Sequence, residues 1–177
     1  MMTKEDRAKI EQGIVSLKLD IKTAKANKSD TDFGGDNDKG FCGELIFGLF
    51  LEDAGLEYDS VSEENLDHDF VVGNEIKAEV KANYNTYSDT VVIETGSFKD
   101  KDGWGFTCQA DWLVMVDIEN QKLVIFDWKK MKPMVEVWNK EYRRNQNKMT
   151  HGLYGDDWES SFIRVPKTVV KEFVIME

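Results

Sequence analysis

The sequence predicts a mixed α/β (α+β) fold, with a mixed central β-sheet flanked by helices and an extra helix at the N-terminus. Apolar residues recur every three or four positions over residues 4–27, which is typical of an amphipathic helix. An apolar segment over 41–54 has the composition of a buried helix. Short segments rich in β-branched and aromatic residues then dominate the chain. The predicted strands are Phe70–Val72, Ile76–Ala82, Thr90–Thr95, Trp112–Asp117 and Leu123–Asp127.

The chain is 177 residues long, which suits one domain with room for an added helical arm. The patterns predict an N-terminal amphipathic helix in residues 1–28, an acidic loop in 29–40, and a single domain in 41–177. The aspartates and glycines of the loop come close to a calcium-binding EF-hand loop. Its twelfth position is Phe41 instead of the required glutamate, so we interpret the segment as a linker.

Composition and motifs exclude several classes of function. With 41% hydrophobic and 11% aromatic residues, the chain does not have the composition of a disordered protein. Cys42 and Cys108 form no CxxC pair and only two histidines are present, so neither a disulfide framework nor a zinc or His-rich site is expected. No GxSxG hydrolase motif occurs. An apolar run of membrane-spanning length and an apolar signal core are also absent from the sequence, so we expect a cytoplasmic protein.

The charge is negative overall but uneven along the chain. The formal net charge is −11, whereas residues 129–148 hold seven basic and two acidic side chains. Pro133 can open a helix, which we predict over 134–147. A basic segment can contact nucleic acid through its local potential, although a solvated helix face explains the same charges. The candidates for contact with a DNA backbone in this segment are Lys140, Arg143, Arg144 and Lys148.

The most informative pattern surrounds a predicted hairpin at residues 73–75. After the hairpin, apolar and polar residues alternate strictly, so neighbouring side chains point to opposite faces of a strand. The length of the hairpin loop decides which residues of the two strands meet. A two-residue loop pairs His68 with Glu79, whereas a three-residue loop pairs Asp69 with Glu79.

The apolar pattern selects between these two registers. Only the three-residue loop places five apolar residues on one buried face, and we therefore predict that register. The five residues are Phe70, Val72, Ile76, Ala78 and Val80. The same register gathers Asp69, Glu79 and Lys81 on the opposite face.

Two carboxylates that face each other across a strand pair repel unless a positive charge lies between them. A divalent cation held by Asp69, Glu79 and the Val80 carbonyl oxygen meets this need, and an all-oxygen site favours Mg²⁺, Mn²⁺ or Ca²⁺. Lys81 on the same face would lie beside an attacking water or a phosphate, where it can stabilise developing negative charge. The alternative is an exposed Lys–Glu ladder on a sheet face.

The predicted helix over 41–54 is apolar almost all round and has one interior charge, Glu44. The residues one turn further along are apolar, so a carboxylate at this position needs a partner, and a cation is one candidate. A glutamate near a helix N-terminus that faces water, favoured by the helix dipole, explains the residue equally well.

Taken in order, a helical glutamate, an aspartate and a Glu-x-Lys strand resemble the PD-(D/E)xK nuclease superfamily, which has the restriction-endonuclease-like fold. The residues are Glu44, Asp69 and Glu79-Val80-Lys81. The segment 92–114, with a strand ending near Glu94 and a later Ala110-Asp111-Trp112, is similar to small phage-encoded members. The resemblance covers residues 40–130, and His68 replaces the proline that precedes the first aspartate in the family.

The resemblance implies an α-β-β-β-α-β core and Mg²⁺-dependent hydrolysis of phosphodiester bonds in DNA, with Mn²⁺ as a substitute. It implies that Asp69 and Glu79 bind the metal and that Lys81 assists the water or the phosphate. Glu44 would be an auxiliary ligand, and Gln109 lies where many relatives place a polar residue near the site. We therefore expect a DNA endonuclease of phage or mobile-element origin, acting in the cytoplasm of a bacterial host. The first helix is a candidate homodimer surface.

Two other classes of function stay open. The fold can serve as a binding or structural module without catalysis, although an intact Asp69, Glu79 and Lys81 set argues against this. An acidic protein can also mimic DNA and occupy the nucleic-acid groove of another protein, and the acidic residues within 30–38 and 52–67 are compatible with that role. Salt-dependent binding to DNA would oppose mimicry. The preferred structure or sequence of the DNA is not readable from the residues.

Overall fold

The computed structural model describes residues 3–26, 33–61, 68–73, 75–83, 89–97, 101–142, 147–153 and 156–177. The helices in these ranges are α1 (Lys4–Ala26), α2 (Phe33–Asp53), α3 (Trp104–Thr107), α4 (Trp128–Met131), α5 (Val135–Glu141) and α6 (Lys167–Val170). The strands are β1 (Tyr58–Ser60), β2 (Phe70–Val72), β3 (Ile76–Asn83), β4 (Thr90–Ser97), β5 (Lys101–Asp102), β6 (Trp112–Asp117), β7 (Lys122–Asp127), β8 (Asn147–Leu153), β9 (Asp156–Pro166) and β10 (Val174–Met176). None of these helices is both long enough and apolar enough to cross a membrane.

The strands form two sheets. The main sheet has the order β1-β2-β3-β6-β7-β10 and is antiparallel except between β3 and β6, which run parallel. The second sheet has the order β5-β4-β9-β8 and is antiparallel. Parallel neighbours need a crossover connection, and here the crossover contains β4, β5 and α3. The prediction of a mixed central sheet with flanking helices is confirmed.

One predicted strand lies in a different sheet from the rest. All five predicted strands are present, with ends within two residues of the predicted ones. The third of them, β4, pairs with β9 and β5 in the second sheet. Since β3 has β2 on one edge and β6 on the other, β4 finds its partner in a strand from the far end of the chain. From α2 to β6 the chain has the order α-β-β-β-β-β-α-β, so β1 and β5 are added to the expected α-β-β-β-α-β order, and the expected third strand, β4, lies outside the main sheet.

The hairpin between β2 and β3 has the register that the apolar pattern predicts. Phe70 pairs with Ala78 and Val72 pairs with Ile76, so the connecting loop has three residues. Gly73 in this loop has a φ of +60°, a left-handed conformation that glycine adopts without strain. The predicted apolar face packs against α2, because all of its residues belong to one core with that helix.

Both faces of the main sheet are covered. Val114 and Ile125 enter a core with α1 and α2, while Leu113 and Phe126 enter a second core, because alternate residues of a strand point to opposite faces. The second core is closed by β4, β9 and the short helices α3 to α6. Trp128 is fully buried in it. The face of β3 that points away from α2 therefore looks towards the second core.

The acidic loop predicted for 29–40 is wrong from residue 33 onward, because α2 begins at Phe33. Residues 27–32 lie outside the described part of the chain. The low helix propensity of glycine and aspartate is a weak constraint that packing overrides. Asp36 and Asp38 also lie in the first two turns of α2, where the helix dipole favours negative charge.

The helix predicted over 134–147 is shorter than expected, since α5 covers Val135–Glu141. Val135 and Trp138 anchor its buried face. Residues 147–153 form β8 instead and pair with β9. A strand whose partner comes from another part of the chain depends on a non-local contact, and helical periodicity does not report such contacts.

A methyl group at Gly43 should weaken the packing of α2 on β3. A Cβ at this position would lie 2.4 Å from the Cβ of Ala82, and neither atom can move away along a flexible side chain. We expect Gly43→Ala to lower the free energy of unfolding by about 1–3 kcal/mol in urea denaturation. The matched control is Gly40→Ala in α2, where a Cβ meets no atom within 4 Å. That substitution should stabilise the helix by up to about 1 kcal/mol, and equal effects at the two positions would contradict the close packing.

Candidate metal-dependent active site

The two edges of β3 have different hydrogen-bond partners. Both groups of Lys77 face β6, because its N–H donates to Asp111 Oδ2 at 2.7 Å and its carbonyl accepts the Asp111 N–H at 2.7 Å. On the other edge, the Ala78 carbonyl accepts the N–H of Asp69 at 3.0 Å, and the Val80 N–H donates to Asp69 Oδ2 at 2.7 Å. The N–H and C=O of one strand residue point to the same edge. The Val80 carbonyl therefore faces the edge on which Asp69 lies.

Within the described residues, this edge of β3 has no strand partner beyond residue 78, since the ladder with β2 ends at Phe70. Asp69 comes just before that last pair, and its carboxylate takes the place of a strand partner for the Val80 N–H. The hydrogen bond uses one carboxylate oxygen and leaves Oδ1 for a further partner. The Asp69 carboxylate and the Val80 carbonyl thus present oxygen atoms at the same open edge.

Glu79 and Lys81 lie on the face of β3 that points away from α2, as the alternation predicts. The Lys81 Nζ lies 2.6 Å from Glu79 Oε1, and the Glu79 side chain is only 11% exposed. Burial raises the pKa values of Glu79 and Asp69 above their ordinary values, against the lowering effect of the Lys81 charge. Burial works against the charged form of Lys81 too, but Glu79 and Asp69 outweigh it and raise the pKa of the lysine. The structure therefore brings these three residues together in one electrostatically coupled group.

A short helix covers Lys81. The Lys81 Nζ lies 5.6 Å from the centre of the Trp104 ring, and Trp104 is the first residue of this helix, α3. Gly103 and Gly105 let this helix lie directly on β4, because a Cβ at either position would come within 2.7 Å of the Glu94 carbonyl oxygen. The Glu94 side chain accepts the Trp104 N–H at 3.4 Å. Glu94 thus helps to hold the helix that carries Trp104. In the sequence, the Gly-Trp-Gly segment was the signal that could have indicated this close packing of Trp104.

Asp111 fixes the start of the parallel pair between β3 and β6. Besides its two hydrogen bonds with Lys77, its side chain forms an ion pair with Lys129, and its carbonyl accepts the Trp128 N–H at 2.8 Å. Burial alone would raise the pKa of this carboxyl, but hydrogen bonds from Lys129 and from the Lys77 N–H lower it below its ordinary value. Sequence reasoning included Asp111 in the family pattern without a role, and its position directly before a strand was the only signal.

Glu44 lies on α2, which packs on the opposite face of β3 from Glu79. It is half-buried and follows Gly43, whose Cα packs closely on Ala82. Ala82 is on the face of β3 opposite to Glu79. Within the described residues, Glu44 does not form a group of three metal-binding side chains with Asp69 and Glu79.

Of the candidate DNA contacts, the structure describes the side chains of Lys140 and Gln109. Lys140 is exposed on α5, and its Nζ lies 2.8 Å from a glutamate carboxylate one turn earlier. Gln109 is exposed, and its Nε2 donates to a carbonyl oxygen two residues earlier at 2.9 Å. Lys148 lies in β8, but its side chain is outside the described part, as are Arg143 and Arg144.

His68 is buried next to the carboxylate pair, with 6% of its surface exposed. Its charge acts on Glu79, and its Nδ1 has no hydrogen-bond partner among the described residues. The histidine therefore forms part of the wall of the site. No feature of the sequence around it signals its burial.

The group carries oxygen atoms of the kind that Mg²⁺ takes as ligands. Asp69 and Glu79 supply carboxylates and Val80 supplies a carbonyl, whereas no group of three or more His, Cys, Asp or Glu side chains in the described ranges is arranged to hold a metal ion. Mg²⁺ commonly binds through one or two carboxylates plus substrate phosphate oxygens and keeps several waters, so it does not need a closed cage of protein ligands. Two carboxylates that burial makes harder to ionise also gain from a nearby cation.

Comparison of the chain with models of protein families, with curated proteins and with solved structures finds no match. The residues and their geometry are therefore the basis for assigning a function.

Removing the charge of Asp111 should cost stability in a pH-dependent way. Because its folded-state pKa is below the ordinary value of about 3.9, its contribution is present above that value and is lost as pH falls through the folded-state pKa. We expect Asp111→Asn to lower the free energy of unfolding by about 1–3 kcal/mol at pH 7. The difference from wild type should shrink as the pH falls below about 4.

Urea denaturation of both proteins between pH 3 and pH 8 checks this prediction. Asp59→Asn, at an exposed position of the edge strand β1, is the matched control and should change the stability little at any pH. A deficit in Asp111→Asn that stays constant down to pH 3 would show that the carboxylate charge does not hold the strands together.

Proposed function

We propose that this protein is a metal-dependent DNA endonuclease that hydrolyses phosphodiester bonds with Mg²⁺, for which Mn²⁺ substitutes. The proposal is carried by one observation, the meeting of Asp69, the Val80 carbonyl and the Glu79–Lys81 pair where β2 leaves β3. The resemblance of the same residues to PD-(D/E)xK nucleases agrees with it. In this reading DNA is the substrate, and a homodimer formed through α1 would allow two strands to be cut.

The metal would be held by Asp69, Glu79 and the Val80 carbonyl, with Glu44 as an auxiliary ligand. When bound, Mg²⁺ supplies a Lewis acid that polarises a phosphoryl group and makes a nearby water easier to deprotonate. The protein's part is to keep two desolvated carboxylates at one edge of a rigid sheet. Asp69 is fixed by its hydrogen bond from the Val80 N–H, and Glu79 by its strand and by Lys81.

Lys81 supplies positive charge beside the reacting phosphate. Its ammonium group is held by Glu79, and its side chain is 33% exposed, so its field is screened less than that of a surface lysine. The raised pKa keeps it protonated at neutral pH, so it donates hydrogen bonds to anionic oxygens and does not serve as a base. Trp104 above the ammonium group restricts where Lys81 can move. Preorganised positive charge of this kind stabilises the negative charge that develops in the transition state.

Cleavage of DNA should require a divalent cation and all three residues of the coupled group. We expect Asp69→Asn, Glu79→Gln and Lys81→Met each to lower the rate of cleavage at least about 100-fold, since even residues that only support metal ligands cost 10- to 100-fold. The assay follows linear duplex, supercoiled plasmid, single-stranded and four-way-junction DNA on gels, with Mg²⁺, with Mn²⁺ and with EDTA.

Lys77→Met is the matched control, because Lys77 lies on the same strand and the same face but is exposed and pairs towards β6. It should leave cleavage within about threefold of wild type. Intact DNA with a folded, metal-loaded protein would favour the two alternatives, a DNA mimic or a silent binding module. Cleavage that persists in all three site variants would show that the site is elsewhere or that the activity belongs to a contaminant.

Metal binding should be measurable without DNA. At a metal concentration 100 times the Kd, binding to the folded state adds about 2.7 kcal/mol of stability. For a chain of this length we expect Mg²⁺ or Mn²⁺ to raise the Tm by about 5–10 °C, as measured by differential scanning calorimetry. Glu79→Gln should lose this rise and Lys77→Met should keep it. An equal rise in both variants would place the bound metal away from Glu79.

A further inference from the structure

A cavity lies beside the candidate active site, on the side of α3 and α4. Its volume is about 660 Å³, and we call it the flanking cavity. The residues that matter for the argument are Phe106, Cys108, Lys129, Lys132 and Pro133, which line it together with the carboxylates of Asp102 and Glu136. Asp69, Glu79 and Lys81 are outside this cavity, on the open edge and outer face of β3. A cavity of this size is within the range of small-molecule sites and has room for a nucleoside.

A short chain of contacts joins the flanking cavity to Lys81. The ring of Trp104, which lies over Lys81, is 5.6 Å from the ring of Trp128. The Trp128 Nε1–H donates to the Cys108 carbonyl at 3.4 Å, and Cys108 lines the cavity. Burial raises the pKa of the Cys108 thiol to about 11, and the charges of Glu79 and Lys81 act on the thiol as well. Cys108 therefore lines the cavity and also lies within range of the charges of Glu79 and Lys81.

Lys132 differs from the other lysines near this cavity. Lys129 pairs with Asp111, Lys130 with Asp127, and Lys140 with Glu136. Within the described residues, the ammonium group of Lys132 has no carboxylate partner, and it donates to the Cys108 carbonyl at 2.7 Å. Among the described residues its ammonium group therefore forms no ion pair, although Asp102 and Glu136 line the same cavity, and two of its three donor positions have no described partner and can bind an anion.

The cavity also presents apolar surface. Phe106 is half-buried at its wall and Pro133 is exposed on the opposite turn. An aromatic ring beside an uncompensated lysine is the combination that binds nucleotides in single-stranded nucleic acids, where the base stacks and the phosphate meets the charge. A base within a continuous duplex has both faces covered by its neighbours, so it must leave the stack before it can pack against such an aromatic ring.

We propose that the flanking cavity binds an unstacked nucleotide next to the cleaved bond, with Phe106 against its base and Lys132 at its phosphate. This inference rests on the proposed nuclease function and names its substrate class. The preferred DNA is a strand with an unpaired nucleotide at the cleavage site, as in single strands, flaps and frayed ends. Continuous duplex is the poorer substrate.

An abasic nucleotide placed in turn on each side of the cleaved bond tests the contact with the base. For the wild-type protein, we expect one of the two positions to lower kcat/KM about tenfold, as expected for one base–aromatic stack. Phe106→Ala should lower kcat/KM about tenfold with normal DNA, and the abasic strand should lower kcat/KM of this variant no further. A merely structural role of Phe106 would lower activity but leave the abasic effect intact, which would overturn the proposal.

The salt dependence of binding tests the role of Lys132. In a Glu79→Gln background, which binds without cutting, Lys132→Met should lower the slope of log K against log salt by about 0.7 for a single-stranded oligonucleotide. Lys132→Arg should restore the slope. Lys130→Met is the matched control, because Lys130 is on α4 but is paired with Asp127. Equal slopes for Lys132→Met and Lys130→Met would overturn the assignment of the phosphate contact.

Failure of this inference and failure of the proposed function are distinguishable. If the wild-type protein cuts DNA with Mg²⁺ but cuts blunt duplex as well as flaps and single strands, the flanking cavity does not select an unstacked nucleotide. If the wild-type protein cuts none of these substrates while its Tm rises with metal, the nuclease function itself is wrong. Circular dichroism of Phe106→Ala and Lys132→Met confirms in each case that the variants are folded.

Discussion

The two edges of β3 have different partners, and the rest of the site depends on that difference. On one edge, the parallel ladder with β6 runs without a break from Ala78 to Asn83 and begins at the Asp111 carboxylate. On the other edge, the ladder with β2 stops at Phe70, and a side-chain carboxylate takes over the next hydrogen bond. The ladder with β6 holds the side chains of β3 in place, and among the described residues the other edge has no strand partner for the Val80 carbonyl.

Burial of the charged group is tolerable because its members compensate one another. Glu79 is nearly buried and Asp69 is half-buried, and the burial raises the pKa of each carboxyl. Lys81 opposes this effect but gives one positive charge for two negative ones. A divalent cation would balance the remaining negative charge. Burial disfavours the ionised carboxylates when no metal is present, and for the same reason it favours binding of a cation.

The parts of the site that sequence reasoning predicted are those that local patterns determine. Alternation of apolar residues sets the register of the β2–β3 hairpin, because a slip of one residue would place Val72 and Ala78 on opposite faces. Trp104, by contrast, lies over Lys81 because β4 joins β9 and because Gly103 and Gly105 let α3 pack directly on β4. Such contacts join distant segments, and no periodicity in either segment reports them.

The residues proposed for metal binding and the residues proposed for substrate contact come from different segments of the chain. The atoms proposed to hold a metal come from residues 69–81, a hairpin whose geometry follows from its own sequence. Phe106, which is proposed to meet the base, and Cys108, which lines the same cavity, come from the crossover between β3 and β6, whereas Lys132 follows β7 and α4. Within this crossover β4 is fixed by its pairing with β9, so changes of sequence are best tolerated in the segment that follows β4. Substrate preference can therefore change through this segment while the chemistry on β3 stays as it is.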